Sequence, residues 1–119
     1  TDSLSWKDKS WVIGIDLAGK SKAYDWIQLK ENRIINDHVG GKPIVLAISK
    51  DDQSYSVFER ESDSVVFTIR NDTLFASNES FDFSGRNLTM PSIRLKRVKA
   101  YQEFWHSWRT FHPGTEQYQ

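Results

Sequence analysis
The chain has 119 residues, 16 Lys and Arg against 16 Asp and Glu, and no cysteine. Zero net charge gives no electrostatic ground for nucleic acid or an anionic membrane as partner, and without cysteine there is no disulfide and no thiolate chemistry. Aromatics at 13%, five of them Trp, exclude a disordered chain, and the length suits one domain with a real core.

Residues 1–10 are polar apart from Leu4 and Trp6 and read as a lead-in arm. The first residue is Thr and not Met, which reads as a domain excised from a longer protein or a processed product. No signal peptide is visible, and no apolar run approaches the roughly 20 residues of a membrane span. Trp11 to Leu17 clusters Val12, Ile13 and Ile15 and reads as a strand, with Gly14 marking a bulge or a close backbone approach. Ala18-Gly19-Lys20 is a turn, and a second strand over Lys22-Ala23-Tyr24 completes a hairpin. Asp25 can cap a short helix over Trp26 to Asn32.

Arg33 to Arg60 reads as three consecutive strands joined by two tight turns. Gly40-Gly41 suits a two-residue reversal. Ile44 to Ile48 is an apolar, β-branched run of buried-strand type, and Lys50-Asp51-Asp52-Gln53 is polar turn chemistry. Asn36-Asp37 reads as side chains capping turn backbone, or as part of a site. Further on, Ser64 to Arg70 and Thr73 to Ala76 read as strands around an Asn71-Asp72 turn. Ser77 to Asn87 reads as an irregular loop plugged by Phe81 and Phe83, and Ile93 to Val98 as an edge strand. Tyr101, Phe104, Trp105, Trp108 and Phe111 fall at helical spacing, which predicts a helix over Ala100 to Phe111 with an aromatic face docked as core. His112-Pro113-Gly114 ends it. The organisation is then a lead-in arm over 1–10, a β-rich core over 11–98 and a C-terminal helix over 99–112. The fold class is mainly β (α+β): a curved antiparallel sheet or partly open β-barrel, with one short helix and a C-terminal aromatic helix.

Reactive equipment is sparse. His38, His106 and His112 form no metal-ligand pair, and no nucleophile elbow, phosphate loop or dinucleotide fingerprint is present. No catalytic residue, metal or cofactor is expected. The sequons at Asn71, Asn78 and Asn87 are short motifs that polar loops meet by chance. A small-ligand or enzymatic pocket would have to draw on Tyr24, Asn36, Asp37, His38 and His106, converging near the C-terminal helix. A weak divalent-metal site would have to draw on Asp51, Asp52 and Glu59.

Four segments together resemble the bacterial family called domain of unknown function 3179. They are V-I-G-I-D-L-A-G-K-S-K-A-Y at Val12 to Tyr24, I-I-N-D-H-V-G-G-K-P-I-V at Ile34 to Val45, V-F-E-R at Val57 to Arg60, and F-W-H-S-W-R-T-F-H-P-G-T at Phe104 to Thr115. The resemblance covers nearly the whole chain and carries no established activity. It implies an extracytoplasmic setting, periplasmic or at the cell surface. Many family members carry C-P-x-C-G where this chain has Ser49-Lys50-Asp51-Asp52-Gln53, and a histidine where it has Asn32. The stretch around residue 85 is also shorter than the family's. The resemblance therefore implies that any thiol or soft-metal site of the family is lost here. The reading that follows is a non-catalytic binding or accessory domain, whose partner is an unknown protein or small ligand.

Overall fold
The computed structural model describes residues 4–119. Strands β1 (Trp11–Leu17) and β2 (Lys20–Asp25) form the first hairpin, and helix α1 (Trp26–Asn32) follows directly. Asp25 caps α1, its side chain accepting from Gln28 N–H. Strands β3 (Ile34–Val39), β4 (Lys42–Ile48) and β5 (Tyr55–Glu59) make the central antiparallel meander, as the sequence predicts. Strands β6 (Thr68–Arg70), β7 (Thr73–Ala76) and β8 (Glu79–Phe81) form a third small sheet. Strand β9 (Ala100–Phe104), helix α2 (Trp105–Phe111) and strand β10 (Glu116–Gln117) complete the chain. The first sheet runs β10-β2-β1-β9, with β10 parallel to β2 and the other pairs antiparallel. The fold is mainly β, with three separate sheets and two short helices and no closed barrel.

Four of the five hairpins share one turn chemistry. Ala18-Gly19, Gly40-Gly41, Asn71-Asp72 and Ser77-Asn78 each join paired strands through two residues at positive φ. That geometry matches the right-handed twist of the flanking strands. Gly40 has a second reason to be glycine. A Cβ there would lie 2.7 Å from the Leu17 carbonyl oxygen, because the β3–β4 turn rests on the β1–β2 turn.

Strand alternation sorts the core into layers. Ile13, Ile15 and Tyr24 face Ile35, Val39, Ile44, Leu46, Ile48 and Val57, so the first core lies between the four-stranded sheet and the meander. Leu29 of α1 joins it. Val45, Ala47 and Phe58 point the other way, onto Phe67, Leu74, Ala76 and Phe81. The meander is thus buried on both faces, which explains the unbroken apolar run of β4. The outer face of the first sheet carries Val12, Ala23, Trp105 and Trp108. Gly14 belongs to this face, where a Cβ would sit 2.4 Å from Trp108 Cε3. The glycine marks a close approach and not a bulge, since pairing runs unbroken through it on both sides. The Trp108 indole donates to Thr115 Oγ1 at 2.9 Å, and its ring stacks on His112 with centroids 3.6 Å apart.

Arg60 is the polar fastener. Its guanidinium donates to the carbonyls of Ile44 (2.7 Å), Asp37 (2.7 Å), Val65 (2.9 Å) and Asp63 (3.1 Å), with its side chain only 3% exposed. Asn36 adds a two-point clamp. It donates to Phe67 O at 2.9 Å and accepts from Phe67 N at 2.8 Å.

Several expectations need correction. The aromatic stretch is not one helix. Ala100–Phe104 is strand, antiparallel to β1, and only Trp105–Phe111 is helical. Pairing with β1 overrides the helical spacing, because a strand-edge site was open to aromatic residues of good β propensity. Only Trp105 and Trp108 are buried, while Tyr101, Phe104 and Phe111 are 44%, 39% and 76% exposed. Of the expected strand over Ser64 to Arg70 only Thr68–Arg70 forms. Arg60 and Asn36 take the backbone groups that a ladder would have used. Within the expected loop at Ser77 to Asn87, Glu79–Phe81 pairs as a strand, with Phe81 buried as foreseen. The expected edge strand near Ile93 is reduced to bridges, such as Phe58 with Arg97. In the lead-in arm, residues 1–3 lie outside the described residues. The rest is docked: Trp6 meets Trp105 edge to face at 4.9 Å.

Two substitutions test this account. Gly14→Ala forces a methyl into the Trp108 ring and is expected to cost about 1–3 kcal/mol in urea unfolding. Arg60→Met strands several carbonyls and is expected to cost about 3–5 kcal/mol by the same measurement. Arg60→Met stability equal to wild type would show that the fastener is dispensable.

Candidate functional site
The five residues of the anticipated pocket do not converge. Asn36 and Asp37 are neighbours within β3, not turn caps, so strand periodicity sends them to opposite faces. Asn36 is consumed by Phe67. His106 lies on α2, exposed, 4.0 Å from Asp8 and 3.5 Å from Arg109. That helix covers the outer face of the first sheet, whereas Tyr24 and Asp37 meet on its inner face. His38 is exposed near the β3–β4 turn.

What the fold does assemble is Lys22, Tyr24 and Asp37. Asp37 Oδ2 accepts from the Tyr24 hydroxyl at 2.7 Å and pairs with Lys22 Nζ at 2.7 Å. Tyr118 lies over the pair, 5.2 Å from the Tyr24 ring, with Lys22 Nζ 5.7 Å from its centroid. Alternation places Lys22 and Tyr24 on one face of β2, a signal present in K-A-Y. Tyr118 had no sequence signal. It is held because its N–H donates to Ala23 O.

The electrostatics are those of a closed set. Burial, then the Asp37 hydrogen bond and charge, push the Tyr24 phenol far above its ordinary range. Burial alone would raise the Asp37 carboxyl, but hydrogen bonds from Lys22 and Tyr24 outweigh it and hold the group below the usual value. The phenol therefore stays protonated and Asp37 stays ionised. Neither is poised as a proton shuttle near neutral pH. An open groove of about 310 Å³ adjoins the set, between Lys20, Lys22, His38 and Glu116.

The acids of the anticipated metal site are also kept apart. Asp51 accepts from Ser49 Oγ at 2.6 Å and Asp52 pairs with Arg33, both in the β4–β5 turn. Glu59, at the far end of β5, pairs with Lys96 at 3.3 Å. Among the described residues no group of three His, Cys, Asp or Glu could hold a metal ion. Ser49 and Asp52 are cross-bonded to that turn. Ser54 N–H donates to Ser49 Oγ at 2.9 Å, and Arg33 reaches both the Ser49 carbonyl and Asp52.

The surface offers one aromatic feature. Trp11 and Phe104, opposite each other on β1 and β9, stack with centroids 4.2 Å apart. Both are well exposed, as are Tyr101 on the other face of β9 and Phe111 on α2. Strand β9 is the edge of its sheet. The edge is blunted, since the Tyr55 hydroxyl donates to Ala100 O at 3.3 Å and also meets the Gln102 backbone.

The closed set predicts a pH profile. The folded-state pKa of Asp37 is lowered, so its contribution is present above the ordinary carboxylate value and lost as pH falls below about 4. That of Tyr24 is raised, so its contribution is present below about 10 and lost as pH climbs past it. Urea unfolding across pH is expected to show both limbs. Asp37→Asn should flatten the acid limb, and Tyr24→Phe the alkaline one. Unchanged limbs in both variants would show that the set is not coupled to folding.

Neither a curated protein nor a solved structure matches the chain. Among the described residues no helix is long and apolar enough to cross a membrane. The model of one family, "Protein of unknown function (DUF3179)", matches residues 1–115. The Gly14–Trp108 contact, the glycine turn on β1–β2 and the Arg60 fastener fall within the segments that carry the resemblance, and with that match the chain belongs to the DUF3179 family of proteins of unknown function.

Proposed function
We propose that this chain is a non-catalytic binding or accessory domain of an extracytoplasmic bacterial protein. Its contact surface is the aromatic ridge around β9. The observation that carries this reading is the stacked and exposed Trp11–Phe104 pair. Large aromatics on rigid paired strands supply contact area at low entropic cost, and such patches mark interaction sites. Leu88, Met90 and Ile93 are exposed too, but they sit on an irregular segment without ring stacking. Because Tyr55 blunts the β9 edge, the partner packs on side chains and does not add a strand. The extracytoplasmic setting is taken from the family resemblance.

The test is chemical cross-linking of the 119-residue chain to envelope proteins of the source cell. Wild type is expected to yield a defined adduct. The double variant Trp11→Ser, Phe104→Ser is expected to lose it while still unfolding in one cooperative transition, at a somewhat lower urea concentration because the two rings are half-buried against each other. An adduct of equal yield in the variant, or turnover of a small substrate by the wild type, defeats the reading. A second reading, a small-ligand site, is favoured by the open groove beside Lys22 and His38. Its mark would be a ligand whose affinity falls with Lys22→Met and not with the ridge variant.

A further inference from the structure
The zero net charge hides a segregation. Residues 83–102 hold five of the chain's 16 Lys and Arg, namely Arg86, Arg94, Lys96, Arg97 and Lys99, and none of its 16 Asp and Glu. All five are exposed, and among the described residues only Lys96 forms an ion pair, with Glu59. Arg86 and Arg94 form an isolated antiparallel bridge. The hydrogen bonds on either side of it run from Asn87 N–H to Ile93 O and from Leu95 N–H to Gly85 O. The two arginines are therefore a non-hydrogen-bonded pair, the register in which facing side chains come closest. Like charges set directly opposite destabilise the pairing. Asp82 feels the Arg86 charge but forms no ion pair, its Oδ1 being taken by Ser84 Oγ and by the Ser84 and Arg86 amides.

The turn between the two arginines presents Leu88, Met90 and Ile93, which are 51%, 54% and 41% exposed. It is firmly held. Buried Asn87 accepts from the Thr89 and Met90 amides, both at 2.9 Å, and donates to Glu79 at 3.0 Å. Ile93 N–H closes back onto Met90 O at 2.9 Å. An apolar tip is thus fixed in water, directly ahead of two unpaired arginines.

We propose that this turn docks the domain on the surface of an anionic lipid bilayer. Leu88, Met90 and Ile93 enter the interfacial layer, and Arg86 and Arg94 meet lipid phosphates behind them. Exposed apolar side chains rimmed by polar ones mark membrane or protein contacts, and the rim here selects a negatively charged surface. A guanidinium matches phosphate oxygens two at a time, and phosphates set between the arginines relieve their mutual repulsion. Lys96, Arg97 and Lys99 follow in the chain and add to the attraction. Nucleic acid fits less well, because residues 86–94 include no aromatic ring to stack on bases and their apolar tip would stay in water. This surface is separate from the aromatic ridge.

The experiment is co-sedimentation of the 119-residue chain with lipid vesicles. One set is phosphatidylcholine with about 30% phosphatidylglycerol and the other phosphatidylcholine alone, at about 0.1 M salt. The wild type is expected to pellet with the anionic vesicles, far less with the neutral ones, and less as salt rises. The double variant Arg86→Gln, Arg94→Gln should bind about tenfold more weakly. Because it removes a like-charge repulsion, its urea midpoint should be unchanged or higher. The double variant Leu88→Ser, Met90→Ser should also bind about tenfold more weakly. The ridge variant Trp11→Ser, Phe104→Ser should bind vesicles as the wild type does, so failure of the ridge reading leaves this one standing. No pelleting, equal pelleting with both vesicle types, or undiminished binding by either turn variant overturns the proposal. So does a wild type that binds a DNA duplex and ignores the vesicles.

Discussion
The guanidinium of Arg60 is the constraint on which the layered arrangement depends. It reaches β3 through the Asp37 carbonyl, β4 through Ile44, and the segment leaving β5 through Asp63 and Val65. The planar fork carries five donors in a fixed geometry and here reaches four carbonyls, more than the three donors of an ammonium could serve. Its one carboxylate contact, with Asp63, is long and that partner is 72% exposed, so carbonyl dipoles and not an ion pair balance the buried charge. Because Arg60 and Asn36 together fix residues 62–67, this stretch needs no ladder to be ordered, and β6–β8 is delivered onto the back of the meander.

The first sheet shows the complementary device. One face supplies the main core and the other receives α2 through the contact of Gly14 with Trp108. A seven-residue helix has little stability of its own. Here a single indole, seated on a glycine and bonded to Thr115, anchors it. The motif from Phe104 to Thr115 is thus a structural unit: Trp108 docks, His112 stacks on it, and Thr115 satisfies its N–H.

Polar groups that the fold gathers, buried or at the surface, are bonded to one another. Lys22, Tyr24 and Asp37 satisfy each other between the sheets. Ser49, Asp51, Asp52 and Arg33 do so in the β4–β5 turn. Such closed networks favour a unique structure over reactivity. Among the described residues, what stays unspent includes the rings along β9 and one buried oxygen of Asp25. A binding domain is the reading that uses what is left over.

Much of the scaffold was legible locally. Two-residue turns, the Asp25 cap, the apolar run of β4 and the glycine within β1 each depend on a few adjacent residues whose chemistry admits little else. The candidate site was legible only in part. Tyr24 and Asp37 do meet, but once Asn36 and Asp37 share a strand they cannot share a face, and that followed from period two alone. The spacing of rings from Tyr101 to Phe111 fits a helix, yet half of it pairs with β1, since the neighbour offering backbone partners lies about ninety residues away. Where Arg60 sends its five donors and which aromatics end in water were likewise decided by chain segments distant in sequence. Periodicity and turn chemistry fixed what each segment could be, and only long-range pairing and burial decided which of those forms it took.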